Sequence, residues 1–213
     1  MMGASRRAKS PGPGTYDRSL GPRERRRVQH GQLLLAAVEV FAKRGFAGAS
    51  VEAIIDVAGM SRRTFYEHFD GLSDVLKEVH ARSAKIALAA VAGAMGDVAD
   101  PIARIEAGIA AFLSLAGANA GLARVLFREV RSAGPQYERR REELLEEFGA
   151  MLAAALRDAY AAGRIARAPD DLTVFAVTAA VEAVALRFVE RGEEARILEA
   201  LPVLTRVVLQ AFC

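Results

Sequence analysis

The sequence predicts an all-α protein, with a small N-terminal module of three helices followed by a larger helical bundle. Apolar residues recur at helical spacing through most of the chain, and no segment alternates apolar and polar residues as a half-buried strand does. Alanine, a strong helix former, is very common, and glycine or proline interrupts the pattern where helices are expected to end. With 52% hydrophobic and 26% charged residues, the composition is that of a globular protein with a buried core.

The first 22 residues are rich in Pro, Gly and Ser, and we expect a disordered basic arm there. They contain no apolar segment like that of a signal peptide, so we expect a cytoplasmic protein rather than a secreted one. Cys213 is the single cysteine, which leaves no disulfide framework and no thiol metal cluster. We therefore predict no metal and no cofactor.

The first helix follows the arm, in the segment RERRRVQHGQLLLAAVEVFAKRG. One face of this helix is apolar at positions i, i+3, i+4 and i+7, which are Leu34, Ala37, Val38 and Phe41. Gly45 stands where a helix C-cap calls for a left-handed residue. The apolar face predicts that other helices pack on this one.

Residues 50–69 predict a helix-turn-helix. Ser50 is a suitable N-cap for a short helix that Gly59 ends, and only two residues later Ser61 can cap the next helix. Two short helices in immediate succession, resting on a longer helix before them, have the layout of a helix-turn-helix.

The second of these helices, SRRTFYEHF, divides its side chains between two faces. Phe65 and Phe69 lie four residues apart on one face, and we expect them to pack on Ile54, Val57 and the first helix. The outward face has Arg62 and Arg63 in its first turn, where arginine can contact guanine. It also has hydroxyl and imidazole groups suited to phosphate oxygens, on Thr64, Tyr66 and His68.

Charge is unevenly distributed along the chain. Residues 1–85 contain 15 Lys and Arg against 9 Asp and Glu, whereas residues 86–213 contain 14 against 17. A basic first part suggests a polyanionic partner, although charge alone leaves open a solvated basic tail. Together with the outward arginines, it favours double-stranded DNA.

Long helices are predicted beyond residue 72. They cover 73–95, 101–116, 120–131, 136–162, 170–190 and 194–211. Two apolar stretches, 107–123 and 172–189, approach the length of a membrane span. Turn-forming residues interrupt the first, and Glu182 and Arg187 interrupt the second, so we interpret both as buried helices and expect no membrane partner.

Residues 36–69 read AAVEVFAKRGFAGASVEAIIDVAGMSRRTFYEHF. With their flanks, over 27–87, they resemble the N-terminal domain of the TetR family of bacterial transcriptional regulators. That family typically shows a FAxxGF run, a Thr- or Ser-capped second helix, an AGVS-like turn and a recognition helix ending in FYxHF. The resemblance implies a DNA-binding domain over 23–87 and an effector-binding and dimerisation domain over 88–213.

The resemblance also implies particular DNA contacts. Carried over position by position, they fall on Ser50, Ser61, Arg62, Arg63, Thr64, Tyr66 and His68. One position departs from the family, because Leu72 stands where a lysine commonly meets a phosphate. The family further implies a homodimer on an inverted-repeat operator, held by the last two helices and released by a small molecule, which is the behaviour of a repressor.

Two sets of residues in the helical body bear on the last two implications. A dimer interface on the helix over 170–190 would use Phe175, Ala176, Ala179, Ala183 and Leu186. A pocket for a mostly apolar effector would use Phe112, Phe127, Met151 and Tyr160. Packing within the chain is the alternative for both sets, and Glu182 with Arg187 would be either ligand contacts or an interface pair.

An enzyme is not indicated. None of the three histidines has a second ligand at i+4, and the sequence has no Gly-rich phosphate loop, nucleophile elbow or cysteine pair. The alternative function is a helical ligand-binding or scaffold protein of the same fold without specific DNA binding. Leu72 favours that alternative, whereas Arg62, Arg63 and Tyr66 favour DNA binding.

Overall fold

The computed structural model of the protein describes residues 21–129 and 133–213, and all regular structure within these ranges is helical. The all-α prediction is therefore confirmed. The arm expected over residues 1–22 lies outside the described residues except for its last two, and α1 begins at Pro22.

Nine α-helices occur in the described part of the chain. They are α1 Pro22–Arg44, α2 Val51–Ala58, α3 Arg62–Tyr66, α4 Leu72–Gly96, α5 Pro101–Ala118, α6 Ala120–Arg124, α7 Pro135–Ala161, α8 Asp171–Arg191 and α9 Leu201–Gln210. A π-helical turn, Val125–Glu129, continues α6, and a 3₁₀ segment, Glu194–Ala200, precedes α9.

Helix ends follow local chemistry. Asp100 caps α5 by accepting a hydrogen bond from the Ala103 N–H at 2.8 Å, and Asp170 caps α8 by accepting from the Thr173 N–H at 2.9 Å. Gly192 ends α8 with φ +69° and ψ +27°, a left-handed conformation that favours glycine.

Two predicted helices differ from the structure. The helix predicted over 120–131 is α-helical only to Arg124 and then widens into the π turn, and residues 130–132 lie outside the described part of the chain. The helix predicted over 194–211 starts as a 3₁₀ segment and becomes α-helical at Leu201. Pro202 explains that start, because a proline in the first turn of a helix needs no partner for a backbone N–H.

The buried side chains form two cores. One joins α1, α2, α3 and the first half of α4, and its α4 members end at Val79. The other fills the body and takes α4 from Ala87 onward. Val125 and Tyr137, which belong to body elements by sequence, lie in the first core. Helices α1, α2 and α3 therefore share their core with the body.

A buried ion pair joins α7 to α8. Glu182 is 3% exposed and accepts hydrogen bonds from Arg141 Nη1 at 3.0 and 2.8 Å. Arg141 also donates to Glu138, one turn earlier on α7. Within the chain Glu182 is thus paired with the neighbouring helix and not with Arg187, which is exposed, and a role of Glu182 and Arg187 at an interface or at a ligand stays a prediction.

Helices α5 and α8 are each long and apolar enough, by length and composition alone, to cross a membrane. Both are packed within the helical body, where α5 contacts α4, α7 and α8. Buried helices of a soluble protein satisfy the same criterion, so this finding is weak support for a membrane span.

Candidate nucleic-acid interface and effector cavity

Serine caps and one glycine build the helix-turn-helix. Ser50 Oγ accepts a hydrogen bond from the Ala53 N–H at 3.1 Å, which satisfies a free donor at the start of α2. Gly59 then turns the chain with φ +63° and ψ +38°, a region that side chains disfavour. Ser61 Oγ accepts from the Thr64 N–H at 3.1 Å and starts α3. Ser50 and Ser61 thus have structural roles as well as being candidate DNA contacts.

Helix α3 is shorter than predicted and ends at Tyr66, after which the Phe69 N–H donates to the Phe65 carbonyl at 3.0 Å to close a final turn. Phe65 and Phe69 are 0% and 2% exposed, so they anchor this segment as predicted. The predicted packing of these two rings on Val57 is not seen, because Val57 is 42% exposed on the outer side of α2.

Both arginines of the first turn of α3 are exposed. The Arg62 side chain is 64% exposed and pairs with Glu52 of α2, and the Arg63 side chain is 89% exposed and pairs with Glu67 at 3.0 Å. Exposed ion pairs are weak, so both guanidinium groups can exchange their carboxylates for DNA.

The other outward residues of α3 are placed differently from one another. Tyr66 is 48% exposed, and the Arg62 guanidinium lies 5.8 Å from the centre of its ring. The Thr64 hydroxyl lies 2.9 Å from Ser61 Oγ and so takes part in the cap. Tyr66 is therefore the more accessible of the two hydroxyl groups.

His68 lies half-buried between α1 and α3, with its ring centre 5.4 Å from that of His30. Burial lowers the pKa of His68 below its usual value, and the nearby His30 and Arg26 lower it further. At neutral pH the imidazole is therefore uncharged. It could donate one hydrogen bond to a phosphate but would add no charge.

Helix α1 carries basic residues to the end of α3. Arg26 Nη2 donates to the Glu67 carbonyl at 3.0 Å, where a helix C-terminus attracts positive charge. Exposed Arg23 and Arg27 lie on the same first turns of α1. The basic start of α1 is thus beside the recognition helix, where it would lie near a phosphate backbone.

Leu72, the position that departs from the family, is the first residue of α4 and is half-buried. Its side chain packs against the core of the DNA-binding helices. The residue therefore contributes apolar contact where a lysine would have offered a charge.

The body encloses a small apolar cavity of about 50 Å³ between α4, α5, α7 and α8. Its wall consists of Val91, Met95, Ile105, Gly108, Ile109, Phe112, Leu145, Phe148, Leu152, Thr178 and Val181. The Thr178 hydroxyl donates to the Val174 carbonyl of its own helix at 2.8 Å, so it is satisfied without a ligand. The chemistry of this wall suits a hydrocarbon.

Phe112 separates this cavity from a second, smaller one. Its ring centre lies 5.2 Å from that of Phe148 and 5.7 Å from that of Phe127, which lines the second cavity. The other two pocket candidates lie elsewhere. Met151 packs on the core outside the cavity wall, and Tyr160 is 46% exposed on the surface, because the side of α7 that carries it faces solvent.

Sequence reasoning missed Glu129, the last residue of the π turn. It is 4% exposed, and its Oε2 accepts a hydrogen bond from the Phe46 N–H, just after α1, at 2.7 Å. Its Oε1 accepts from Arg128 Nε at 2.8 Å. Gly45 has φ +70°, and a Cβ there would stand 3.0 Å from Glu129 Oε2, so glycine is required both for its conformation and for the close approach.

Two more body residues hold the DNA-binding helices. Val125, at the start of the π turn, is fully buried in their core, and Tyr137 donates its hydroxyl to the Ser73 carbonyl of α4 at 2.7 Å. The ring of Tyr137 also lies 6.4 Å from that of Phe46. The only sequence signal for this contact zone was an acidic residue within the apolar segment VLFREV.

A capped helix-turn-helix with exposed arginines, joined to a helical body, defines a DNA-binding transcriptional regulator. The family profile described as "Bacterial regulatory proteins, tetR family" matches residues 33–79, and the profile "Tetracyclin repressor-like, C-terminal domain" matches residues 98–197. The chain belongs to the TetR family of transcriptional regulators. It is a regulator and not an enzyme, and the resemblance seen in the sequence is confirmed.

Relatives agree with this assignment. The chain is 32% identical to the HTH-type transcriptional activator FasR of Mycolicibacterium smegmatis over 128 residues. These 128 residues are 60% of this chain and 57% of that protein. The fold is similar to the fatty acid degradation regulator FadR of Bacillus halodurans, with a TM-score of 0.77 and 20% identity over 89% of this chain and 96% of that one. The fold is also similar to that of FadR of Bacillus subtilis, which was solved in complex with stearoyl-CoA. The TM-score is 0.75, with 19% identity over 86% of this chain and 100% of that one.

Replacing Arg63 by alanine is expected to weaken operator binding by about 1–3 kcal/mol and to relax the preference for one base pair, because a bidentate base contact is lost. Replacing Tyr66 by phenylalanine is expected to weaken binding to every sequence alike, because a phosphate contact carries no sequence information. Fluorescence anisotropy with the operator, single-base variants and random DNA separates the two effects.

Arg196→Ala is the matched control, because Arg196 is also an exposed arginine paired with a nearby glutamate, but it lies in the 3₁₀ segment of the body. It should leave DNA affinity unchanged. If Arg63→Ala matched this control, the outward face of α3 would be an ordinary solvated surface.

Proposed function

We propose that this protein is a cytoplasmic repressor that binds an inverted-repeat operator as a homodimer and leaves it when an apolar acyl compound enters the body. The observation that carries the proposal is the pair of exposed arginines on the recognition helix. The core that anchors this helix is shared with a helical body that is large enough to bind a ligand. The candidate DNA contacts are the residues named from the sequence, and four of them are exposed, namely Ser61, Arg62, Arg63 and Tyr66.

An exposed apolar stripe on α8 supports the dimer. Phe175 is 50% exposed and Leu172 is 77% exposed, although both are large and apolar. The stripe continues along α8 through Ala176, Ala179, Ala183 and Leu186, and α9 adds Val203 at 53% and Val207 at 44% exposure. An apolar surface on two helices of one body is typical of a protein interface. A second copy of the chain is the proposed partner.

The cavity supports the proposal of an apolar effector, and its small size indicates how binding would change the structure of the body. Pockets for small molecules usually measure about 300–1,000 Å³, so a cavity of about 50 Å³ must widen to accept one. Met95 has a flexible side chain and Phe112 and Phe148 have planar rings, and these are the wall residues we expect to move. Because the FadR protein of Bacillus subtilis was solved with stearoyl-CoA, acyl compounds are the class we propose.

A chain of contacts leads from the cavity to the DNA-binding helices. Phe112 packs on Phe127, and Phe127 is two residues before Glu129 in the same π turn. Glu129 in turn holds the Phe46 N–H beside the end of α1. Displacement of Phe112 by a ligand would therefore move the contact that fixes α1, in addition to moving α4, which runs from the DNA-binding core into the cavity wall.

Activation is the second candidate, and the relation to the activator FasR favours it. The DNA chemistry is the same in both cases, and the position of the operator relative to the promoter distinguishes them. Transcription in vitro from the neighbouring promoter, with and without the protein, decides between a fall and a rise in transcript.

The operator is expected to be an inverted repeat. Two recognition helices related by a twofold axis reach successive major grooves, whose separation is about 34–36 Å. Selection of bound sequences from a random DNA pool should yield two identical half-sites in opposite orientation. A pool that converges on a single unpaired half-site would contradict the dimer, and a pool without any motif would contradict specific DNA binding.

Acyl compounds should stabilise the protein and release it from the operator, with a coupling of about 1–3 kcal/mol, or about 5–150-fold in affinity. Gly108→Val should abolish both effects, because its first side-chain atom would stand 2.8 Å from Met95 Sδ inside the cavity wall. Gly93→Val is the matched control, since nothing lies within 4 Å of that position. Thermal shift and anisotropy measure the two effects, and a ligand that stabilises without release would refute the switch.

Glu129→Gln should weaken the link between ligand and DNA. The variant keeps the size of the side chain but loses the charge that holds Phe46 N–H and Arg128, so the 5–150-fold effect of the ligand should shrink to within about threefold. Ligand affinity itself should change little, because Glu129 does not line the cavity. Glu106→Gln, at an exposed carboxylate of α5, should preserve full coupling.

A further inference from the structure

The buried histidine of α4 has one ring nitrogen without a partner. His80 is 3% exposed, and its Nε2 has no hydrogen-bond partner within residues 21–129 and 133–213. The Leu126 carbonyl acts on the ring as a hydrogen-bond acceptor, and with Nε2 unpartnered this favours the tautomer that has its proton on Nδ1. Nε2 therefore carries a lone pair and can accept a hydrogen bond.

This assignment agrees with the electrostatics around the ring. Burial, and to a smaller extent the positive charge of Arg140, lower the pKa of His80 to about 4, against the opposing effects of the Leu126 carbonyl and Glu143. The imidazole is therefore neutral at physiological pH. A buried acceptor without a donor is costly, so a molecule that supplies a donor to it would be stabilising.

His80 lines a groove of about 400 Å³ between α4 and α7. Its other lining residues are Ala81, Ala84, Lys85, Leu88, Arg140, Glu143, Leu144 and Glu147. The groove has two cationic and two anionic side chains, so its charges balance. That balance favours a head group rich in hydrogen-bonding atoms over one with a single strong charge.

The groove and the apolar cavity follow each other along the same two helices. On α4, Leu88 lines the groove and Val91 lines the cavity one turn later, about 4.5 Å further along the helix. On α7, Leu144 lines the groove and Leu145 lines the cavity. A polar site and an apolar site in succession match a molecule with a polar head and a hydrocarbon chain.

We propose that the groove binds the polar head of an acyl compound whose chain enters the cavity, and that an amide N–H or hydroxyl of this head donates to His80 Nε2. This inference rests on the proposed function, since it assigns the head-group site of the same effector. His80 would then select acyl amides and similar heads over acyl compounds without a donor. Because the Leu126 carbonyl that acts on the ring of His80 belongs to the π turn, the head would also lie close to the segment that holds α1.

Two ligands that differ in one N–H test the proposal. N-methyldodecanamide has an amide N–H, and N,N-dimethyldodecanamide has the same chain without it. The full-length protein should bind the first about 3–10-fold more tightly, the effect of one neutral hydrogen bond. Isothermal titration with each ligand gives this ratio.

His80→Asn is the matched variant, because the asparagine amide can still donate to the Leu126 carbonyl while no acceptor remains at the position of Nε2. The ratio between the two amides should fall to about 1 in this variant, and the unfolding temperature without ligand should show that it remains folded. Lys85→Ser, at an exposed groove residue that the proposed hydrogen bond does not use, should preserve the ratio.

The outcomes distinguish failure of the head-group site from failure of the proposed function. Equal binding of both amides by the wild-type protein, with release of DNA by both, would overturn the head-group site and leave the effector switch intact. A preserved preference without release of DNA would support the site and overturn the switch. If neither amide bound, both proposals would fail.

Discussion

The DNA-binding helices of this protein do not complete their own core. Val125 of the π turn and Tyr137 of α7 fill it from the body, and the Glu129 carboxylate fixes the backbone just after α1. Interiors packed to this density have few intermediate arrangements, so a displaced side chain moves its neighbours. The orientation of the recognition helix therefore depends on the packing of the body, although more than fifty residues separate them in sequence.

Two buried carboxylates make two different kinds of contact, one within the helical bundle and one between the bundle and α1. Glu182 is held by Arg141 across α7 and α8, and both partners belong to the same packed bundle. Glu129 instead joins the body to the end of α1, through one backbone N–H. An uncompensated buried charge would cost several kcal/mol, so each carboxylate keeps its partners while the surrounding helices hold their places. Breaking the first pair would loosen the bundle, whereas breaking the second contact would free the DNA-binding helices.

Local signals in the sequence were sufficient for most of the fold and for the helix-turn-helix. Capping serines, the left-handed Gly59 and the spacing of Phe65 and Phe69 all act within a few residues, so the printed sequence shows them directly. The contacts of Glu129 with Phe46 and of Glu182 with Arg141 join residues 83 and 41 positions apart, and no local pattern encodes such partners. For the same reason the sequence identified Phe112 and Phe127 as bulky core residues but did not show that Tyr160 faces solvent.

The π turn is the element best suited to convert pocket filling into movement. Four of its five residues are divided between the two cores, with Val125 and Glu129 contacting the DNA-binding helices and Leu126 and Phe127 packing in the body. A π-helical turn is rarer and less stable than an α-helix of the same length, and such turns often occur at functional sites. Each residue of an α-helix advances the chain by about 100° around the helix axis. A change from π-helical to α-helical geometry removes about one residue from the turn, so the residues that follow would rotate by about this angle. In the proposed switch, even part of that rotation would withdraw Glu129 from Phe46, and α1 would lose this contact while the bundle stays folded.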